Sequence, residues 1–234
     1  MTTILAILGA AMIDVEGNRL LVGLAPADVM RFRQGQTLRR HAAGTMILAA
    51  DDRSTELHLV LSGRVAVRSY SDDGSEVAYA EIPEGSFFGE LSAIDGLGRS
   101  ADVVAMTDVT VSAMRAEIFR SALASCPALG LNLAIHLAGK VRSLSNRVFE
   151  FSTLPSSVRI RRELLRLASE VAAARPVVMI RPAPTHYEIA ARTATHREAV
   201  SRELAALATR RVLRTGRQMI EITDMATLKS LAAI

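Results

Sequence analysis

Residues 85–102 read GSFFGELSAIDGLGRSAD. Their polar groups come in an order that suits one kind of ligand. Gly89 has no Cβ, so the backbone there can approach a bound molecule closely. Glu90 supplies a carboxylate, a good acceptor for sugar hydroxyls. After a short apolar turn and Gly96-Leu97-Gly98, Arg99 and Ser100 arrive together. A guanidinium beside a hydroxyl and free backbone N–H groups makes a phosphate site. Ribose acceptor and phosphate donor on one compact loop describe a sugar-phosphate pocket.

The segments around this loop are short strands. Thr45–Leu48, Leu57–Leu61, Val65–Val67, Val77–Ile82, Val103-Val104 and Val109–Ala113 are separated by polar loops. Ser71-Asp72-Asp73-Gly74 reads as a hairpin turn. Many short strands without intervening helices predict an all-β barrel or jelly-roll, with the loop as its one helical insertion. Before the strands, Ile4–Phe32 reads as helix with turns, and Ala25-Pro26-Ala27-Asp28 marks a helix start. The opening MTTILAILGAAMIDVEG has no basic n-region and too short an apolar run for a membrane span. It reads as a folded segment and not as a signal peptide.

Downstream, Glu117–Phe151 returns to a helical period. Leu137, Val141, Leu144, Val148 and Phe151 are separated by four, three, four and three, a heptad seam. It fits a homodimer helix, or a helix packed along its own domain. With Leu144 at d, Lys140 falls at g and Ser145 at e. Ser152-Thr153-Leu154-Pro155 breaks the helix and predicts a hinge between domains. Ile160, Leu164, Leu167 and Val171 line one face of the next helix, which Ala174-Arg175-Pro176 ends. Val177–Ile180 is a short strand.

Residues 185–207, THYEIAARTATHREAVSRELAAL, hold two T-x-x-E patterns: Thr185 with Glu188, and Thr195 with Glu198. Each predicts a capping box and a helix start. Two short helices joined so tightly make a helix-turn-helix, with Ile189, Val200, Leu204 and Leu207 as its core and small Ala190 and Ala194 allowing close approach. Arg197, Glu198, Ser201 and Arg202 share the opposite face of the second helix. Arg can bond guanine O6 and N7 together, and Glu can accept from cytosine N4. Glu198 has two readings, cap or base contact. Arg210-Arg211 leads into Val212–Ile222, a hairpin wing with its turn at Thr215-Gly216, whose arginines would meet phosphates.

Composition sets the bounds. The 234 residues are half hydrophobic, with few aromatics and no Trp, so the core is aliphatic. The single Cys126 cannot form an internal disulfide, which suits a reducing, cytoplasmic setting. Five scattered histidines show no metal spacing, so no metal is expected. From Pro155 onward there are 14 Lys/Arg against 7 Asp/Glu, while the remainder has 14 against 17. The basic third is the part that would meet a polyanion. An enzyme acting on phosphate would want metal carboxylates or an activated nucleophile, and no Asp/His cluster offers either.

The FGEL start and R-S-A end of residues 88–101 resemble the phosphate-binding cassette of cyclic nucleotide-binding domains. Barrel, cassette, heptad helix, hinge and winged helix-turn-helix, in that order, resemble the catabolite activator/FNR (Crp/Fnr) family over nearly the whole chain, in its cyclic AMP receptor branch. The resemblance implies an α+β fold. A β-roll would occupy residues 1–130, a dimerisation helix and hinge 131–154, and a winged helix-turn-helix 155–234. It implies that Glu90 takes the ribose 2′-hydroxyl of cAMP, that Arg99 takes the cyclic phosphate, that Ser100 adds a hydrogen bond to phosphate or base, that the backbones of Gly89 and Leu91 line the sugar, and that Lys140 stands near that phosphate. Leu144 and Ser145 fall where the family grasps adenine, the Ser coming from the partner subunit. Leu144 cannot hydrogen-bond, so cGMP is a second candidate ligand. The H-R-E-A-V-S-R of residues 196–202 resembles the branch's S-R-E-T-V-G-R recognition helix. Arg197, Glu198 and Arg202 would read a half-site like TGTGA in double-stranded DNA, and His196 stands where the family has a phosphate-contacting Ser. The resemblance further implies RNA polymerase as a partner and no membrane association.

Overall fold

The computed structural model describes residues 18–70, 76–171 and 177–233. The part of the expected N-terminal helix up to residue 17, the expected hairpin turn at 71–74 and the expected helix end at 174–176 lie outside them. The chain divides into two compact units, one of residues 18–70 and 79–141, the other of residues 142–233 together with 76–78.

In the first unit, helix α1 (Pro26–Arg33) starts as its sequence predicts, with Ala25 as N-cap and Pro26 in the first turn. Eight strands follow in two four-stranded sheets. One runs β1 (Gln36–His41), β8 (Val109–Met114), β3 (Leu57–Ser62), β6 (Phe87–Phe88). The other runs β2 (Met46–Leu48), β7 (Asp102–Ala105), β4 (Arg64–Tyr70), β5 (Glu76–Pro83). This is the expected β-roll. Strand β3 shows why the sheets stack. Successive side chains point to opposite faces. Leu57 and Leu59 join Phe32, Phe87, Phe119 and Leu129 under the helices, while Val60 joins Val65, Phe88, Val103 and Val111 between the sheets. Strand β1 had no legible period because it is a polar edge strand, held by its backbone register from Gln36↔Met114 to His41↔Val109.

The helical stretch after the barrel is not continuous. It forms α3 (Ala116–Ser125) and α4 (Pro127–Thr153), bent by 111°. Pro127 cannot donate a backbone bond within a helix but is tolerated in its first turn, so it starts a new one. The heptad seam is correspondingly uneven. Leu137 packs against the barrel's helical layer. Val141, Leu144 and Val148 are 62, 54 and 64% exposed. Phe151 is half-buried, with the Arg159 guanidinium 5.6 Å from its ring centre.

In the second unit, α5 (Ser156–Val171), β9 (Val178–Ile180), α6 (His186–Arg192), α7 (Arg197–Thr209), β10 (Leu213–Gly216), β11 (Met219–Ile222) and α8 (Met225–Ala232) enclose one core. Ile160, Leu164, Ile189, Val200, Leu204, Leu207, Ile220, Ile222 and Leu228 are buried in it. The break after α4 falls at Leu154-Pro155, as read from sequence. The compact division lies earlier, between Val141 and Arg142. The end of α4 belongs with the second unit because Glu150 is ion-paired to Arg162 and Arg166 of α5. The wing turns at Arg217-Gln218 and not at Thr215-Gly216. Gly216 pairs with Met219, and Gln218 takes the positive φ of 51° that the tight turn needs. Helix α8 escaped the sequence reading, although Asp224 caps it by accepting from the Thr227 amide at 2.9 Å. No single helix among the described residues is long and apolar enough to cross a membrane.

Arg161 locks α5 to α7 through Glu203, Nε to Oε1 at 2.6 Å, with both side chains largely buried. Glu203→Ala leaves that guanidinium without its carboxylate, bonded only to the Leu231 carbonyl. It is expected to cost the second unit about 2–4 kcal/mol, read as an earlier denaturant transition of that unit, with the first unit's transition unmoved.

Candidate nucleotide pocket and DNA-binding surface

The cassette is a strand-turn-helix-turn. β6 ends at Gly89, which sits at φ 79° and caps the short helix α2 (Glu90–Asp95), and the helix closes on Gly96 at φ 75°. Gly89 is glycine for a second reason. A Cβ there would stand 2.5 Å from Arg99 Nη1 and 2.9 Å from the Glu56 carbonyl oxygen. Arg99 is only 3% exposed. Its Nε donates to Ser54 Oγ at 3.0 Å, Nη1 to the Gly89 carbonyl at 3.1 Å and Nη2 to the Glu56 carbonyl at 2.8 Å. Five N–H groups and three acceptors leave two donors for an incoming anion. Burial lowers its pKa, and the nearby carboxylates of Asp52, Glu56 and Glu90 work in the opposite direction. An arginine so placed stays charged.

Glu90 is 2% exposed, and its Oε1 accepts from Lys140 Nζ at 2.6 Å. The two residues line a common cleft with Gly89, Leu91, Arg99 and Ser100, floored by Leu48, Val67, Ile82 and Phe88. Leu91 and Ser100 are exposed at its lip. The sequence therefore brought together six of its eight expected ligand residues. Lys140 meets the Glu90 carboxylate, where the resemblance set it near the phosphate. Leu144 and Ser145 do not line the cleft. Both are exposed on α4.

Sequence reasoning missed the residues that hold Arg99. Ser54 and Glu56 lie more than 40 positions away in what read only as a polar loop. It also missed His58. This side chain is buried, stacked on Phe88 at 4.9 Å between ring centres, and its Nδ1 has no partner. Its pKa is pushed down to about 4, by burial first and then by Arg99, against a smaller opposing pull from Glu56. A neutral imidazole next to the guanidinium avoids two adjacent buried cations.

On the second unit, the first capping box forms as expected. Thr185 Oγ1 accepts from the Glu188 amide, and Glu188 Oε2 accepts from the Thr185 amide at 2.7 Å. The second does not form. His196, and not Thr195, is the N-cap of α7, with no side-chain cap. Ala194 takes a left-handed φ of 47°, and the Thr195 amide donates to the Ala190 carbonyl at 3.1 Å. Thr195 is thus occupied in closing α6, a six-to-one bond of the Schellman kind. Ala194, expected as a small packing residue, is instead an exposed turn residue. Glu198 is released from capping and stands exposed with Arg197 and Arg202. Ser201 is half-buried and bonded to His186 Nδ1 at 2.8 Å, so it braces the two helices. Arg211 is exposed at φ 59°, where the chain enters the wing.

One arginine positions this surface. Arg159 donates to the carbonyls of Phe151 and Leu154 before the break and to those of Thr193 and Ala194 in the turn of the helix-turn-helix, at 2.9–3.3 Å. A single guanidinium thus ties the break to the start of α7.

A cleft walled by a buried arginine and a buried carboxylate on a β-roll, followed by a winged helix-turn-helix whose second helix exposes Arg197 and Arg202, defines a ligand-binding transcription regulator. The cyclic nucleotide-binding domain family matches residues 38–126, and the Crp-like helix-turn-helix domain family matches residues 158–231. The chain is 32% identical over 218 residues to the cyclic AMP receptor protein of Thermus thermophilus, covering 93% of this chain and 98% of that one. It is 27% identical to the CRP-like cAMP-activated global transcriptional regulator of Mycobacterium tuberculosis, over 79% of this chain and 83% of the relative. Among solved structures it resembles the Thermus thermophilus catabolite activator protein, at 31% identity, TM-score 0.53, and 92% and 98% coverage. It shares the fold of the c-di-GMP responsive global regulator CLP of Xanthomonas campestris, at 20% identity, TM-score 0.74, and 85% and 99% coverage. The chain belongs to the Crp/Fnr family. It is a cyclic nucleotide-binding, DNA-binding transcription regulator and not an enzyme.

Two outcomes test the pocket. Gly89→Ala must push aside the Arg99 guanidinium or the β3 entry, and it strains a left-handed φ. Cyclic nucleotide affinity measured by calorimetry is expected to fall on the order of tenfold or more, about 1.4 kcal/mol. For His58, the unfolded chain takes up its proton first as pH falls, because the folded pKa lies below the ordinary 6.5. The stabilisation is complete above about pH 6.5 and is lost progressively as pH falls toward about 4, on the order of 3 kcal/mol in all. His58→Gln should flatten the slope of stability against pH in that window, whatever its absolute stability.

Proposed function

We propose that this protein is a homodimeric, cytoplasmic regulator switched by cAMP, and that it reads a pseudo-palindromic DNA site with TGTGA-like half-sites. The observation that carries the ligand reading is the buried Arg99 with two uncommitted N–H groups beside Ser100, in a cleft whose other wall is the buried Glu90. A ribose 2′-hydroxyl and a cyclic phosphate satisfy those groups together. Two relatives described as cAMP-responsive support the choice of nucleotide. The exposed stripe Val141, Leu144, Val148 supports a dimer through α4, since apolar residues at heptad spacing are stabilised by a partner helix. Exposed Arg197, Glu198 and Arg202, with Thr185, His196 and Arg211 at the phosphates, support major-groove readout. RNA polymerase is the further partner of such a regulator.

Coupling requires that ligand bind one arrangement of the dimer more tightly than the other. Phosphate and ribose contacts alone shift nothing if they are equal in both. The base edge against Ser145 of a partner subunit is the contact that can differ, so base identity should decide activity. With Leu144 apolar, cGMP should bind measurably through Arg99 and Ser100 yet support DNA binding less well than cAMP.

Titration calorimetry with cAMP and cGMP, each followed by a DNA shift assay, tests this. Arg99→Ala is expected to lose about 2–4 kcal/mol of nucleotide affinity. Ser145→Ala is expected to keep most cAMP affinity while losing a larger share of the gain in DNA affinity. Unchanged cAMP binding by Arg99→Ala would sink the pocket assignment. Equal activation by both nucleotides, unaffected by Ser145→Ala, would move the switch elsewhere.

A further inference from the structure

The second unit contains a cavity of about 520 Å³ between the last turns of α4 and the middle of α5, lined by Ser143, Asn146, Arg147, Phe149, Glu150, Arg162 and Arg166. Its volume lies in the range of small-molecule sites. Its charge is unbalanced. Glu150 accepts from Arg162 and Arg166, and Glu163 accepts from Arg166 and Arg192. Those two carboxylates are therefore shared among three guanidiniums before Arg147 is counted. Arg147 makes no hydrogen bond or ion pair among the described residues, and it is half-buried. Burial lowers its pKa, and Arg166 and Arg192 add to that while Glu163 and Glu150 oppose it. A guanidinium held in a partly dry, net positive cleft without an acceptor is a cost unless an anion joins it.

The remaining lining defines what kind of anion. Phe149 is 60% exposed and borders the cavity, so an aromatic ring is available there to a planar partner. Asn146 and Ser143, one and two turns before Glu150 on the same helix, offer donors and acceptors beside it. Stacking on an aromatic ring and charge-assisted bonds to arginine are the two contacts by which proteins hold bases and phosphates. With Leu144 at heptad position d, Ser143, Asn146 and Phe149 fall at c, f and b, on the side of α4 away from a partner helix, while Arg147 falls at g, at the border of the predicted seam.

We propose that this cavity is a second ligand site, for a phosphorylated nucleoside, with Arg147 and Arg162 on the phosphate and Phe149 under the base. It shares no residue with the cleft at Arg99. Its walls are the two helices that meet at the Leu154-Pro155 break, so an occupant joins them in addition to the Arg159 clamp and biases the angle at which the helix-turn-helix is carried.

The test uses the full-length protein and 5′-AMP, 5′-GMP and inorganic phosphate as probes, by calorimetry, with the cassette cleft disabled by Arg99→Ala. Saturable binding of at least one nucleotide, stronger than that of phosphate, is expected to survive Arg99→Ala. It should fall roughly tenfold or more in Arg147→Ala, and Phe149→Ala should weaken the nucleotide without weakening phosphate. Asn146→Glu, which places a negative charge in the cavity from an exposed helical position, should abolish binding with an unchanged circular dichroism spectrum. It serves where Arg147→Ala does not fold. No saturable binding at millimolar probe, binding lost with Arg99→Ala, or binding indifferent to both Arg147→Ala and Asn146→Glu would overturn the proposal. Phosphate bound as tightly as either nucleotide would overturn the nucleoside assignment.

Discussion

The Arg99 guanidinium is the constraint around which the first unit is arranged. A buried cation is tolerated only when its donors are met, and here three of them are met by groups from the β3 entry and the cassette turn. That requirement fixes its neighbours. Gly89 must lack a side chain, because the guanidinium occupies the space where a Cβ would be. His58 must stay neutral, because burial and the adjacent cation both oppose its proton. Glu90 must face a cation, and Lys140 supplies it from α4. What is left over, two donors in the cleft that the Glu90 carboxylate also lines, is the ligand's share.

The second unit uses arginine in two ways that a charge count cannot separate. Arg159, Arg161, Arg162 and Arg166 on α5 are engaged internally, with the carbonyls of Phe151, Thr193 and Leu231 and with the carboxylates of Glu150, Glu163 and Glu203. They build a rigid seat for the helix-turn-helix. The positive surface that can meet a phosphodiester backbone comes instead from the exposed arginines of α7 and the wing. The excess of cations over anions after Pro155 therefore overstates the DNA-facing charge, and the protein's long-range attraction to DNA rests on fewer groups than composition implies.

Helix α4 links these two regimes. Its first half is packed into the barrel's helical layer through Leu129, Leu133 and Leu137. Its middle leaves Val141, Leu144 and Val148 in solvent. Its end is held by Glu150 and by Arg159. An element anchored at both ends and apolar between them is suited to carrying a two-state arrangement, since its exposed stretch is the part free to choose a partner.

Local chemistry was legible in the sequence. The cassette, the Thr185 capping box, the proline break after α4 and the core face of the helix-turn-helix each depend on residues a few positions apart, and spacing alone determines those. Period and turn residues likewise gave most strands. Contacts between distant segments were not legible. Nothing in Ser54 or Glu56 announces that they will hold a guanidinium some 40 residues later, because a polar loop has the same composition whether or not it meets a partner, and nothing in the strand residue His58 announces its place beside that cation. The second capping box failed for the same reason. Thr195 and Glu198 satisfy the local pattern, but the Thr195 amide was already committed to the Ala190 carbonyl by the closure of α6. Where a backbone group can serve only one acceptor, the sequence proposes the candidates and the tertiary fold decides between them.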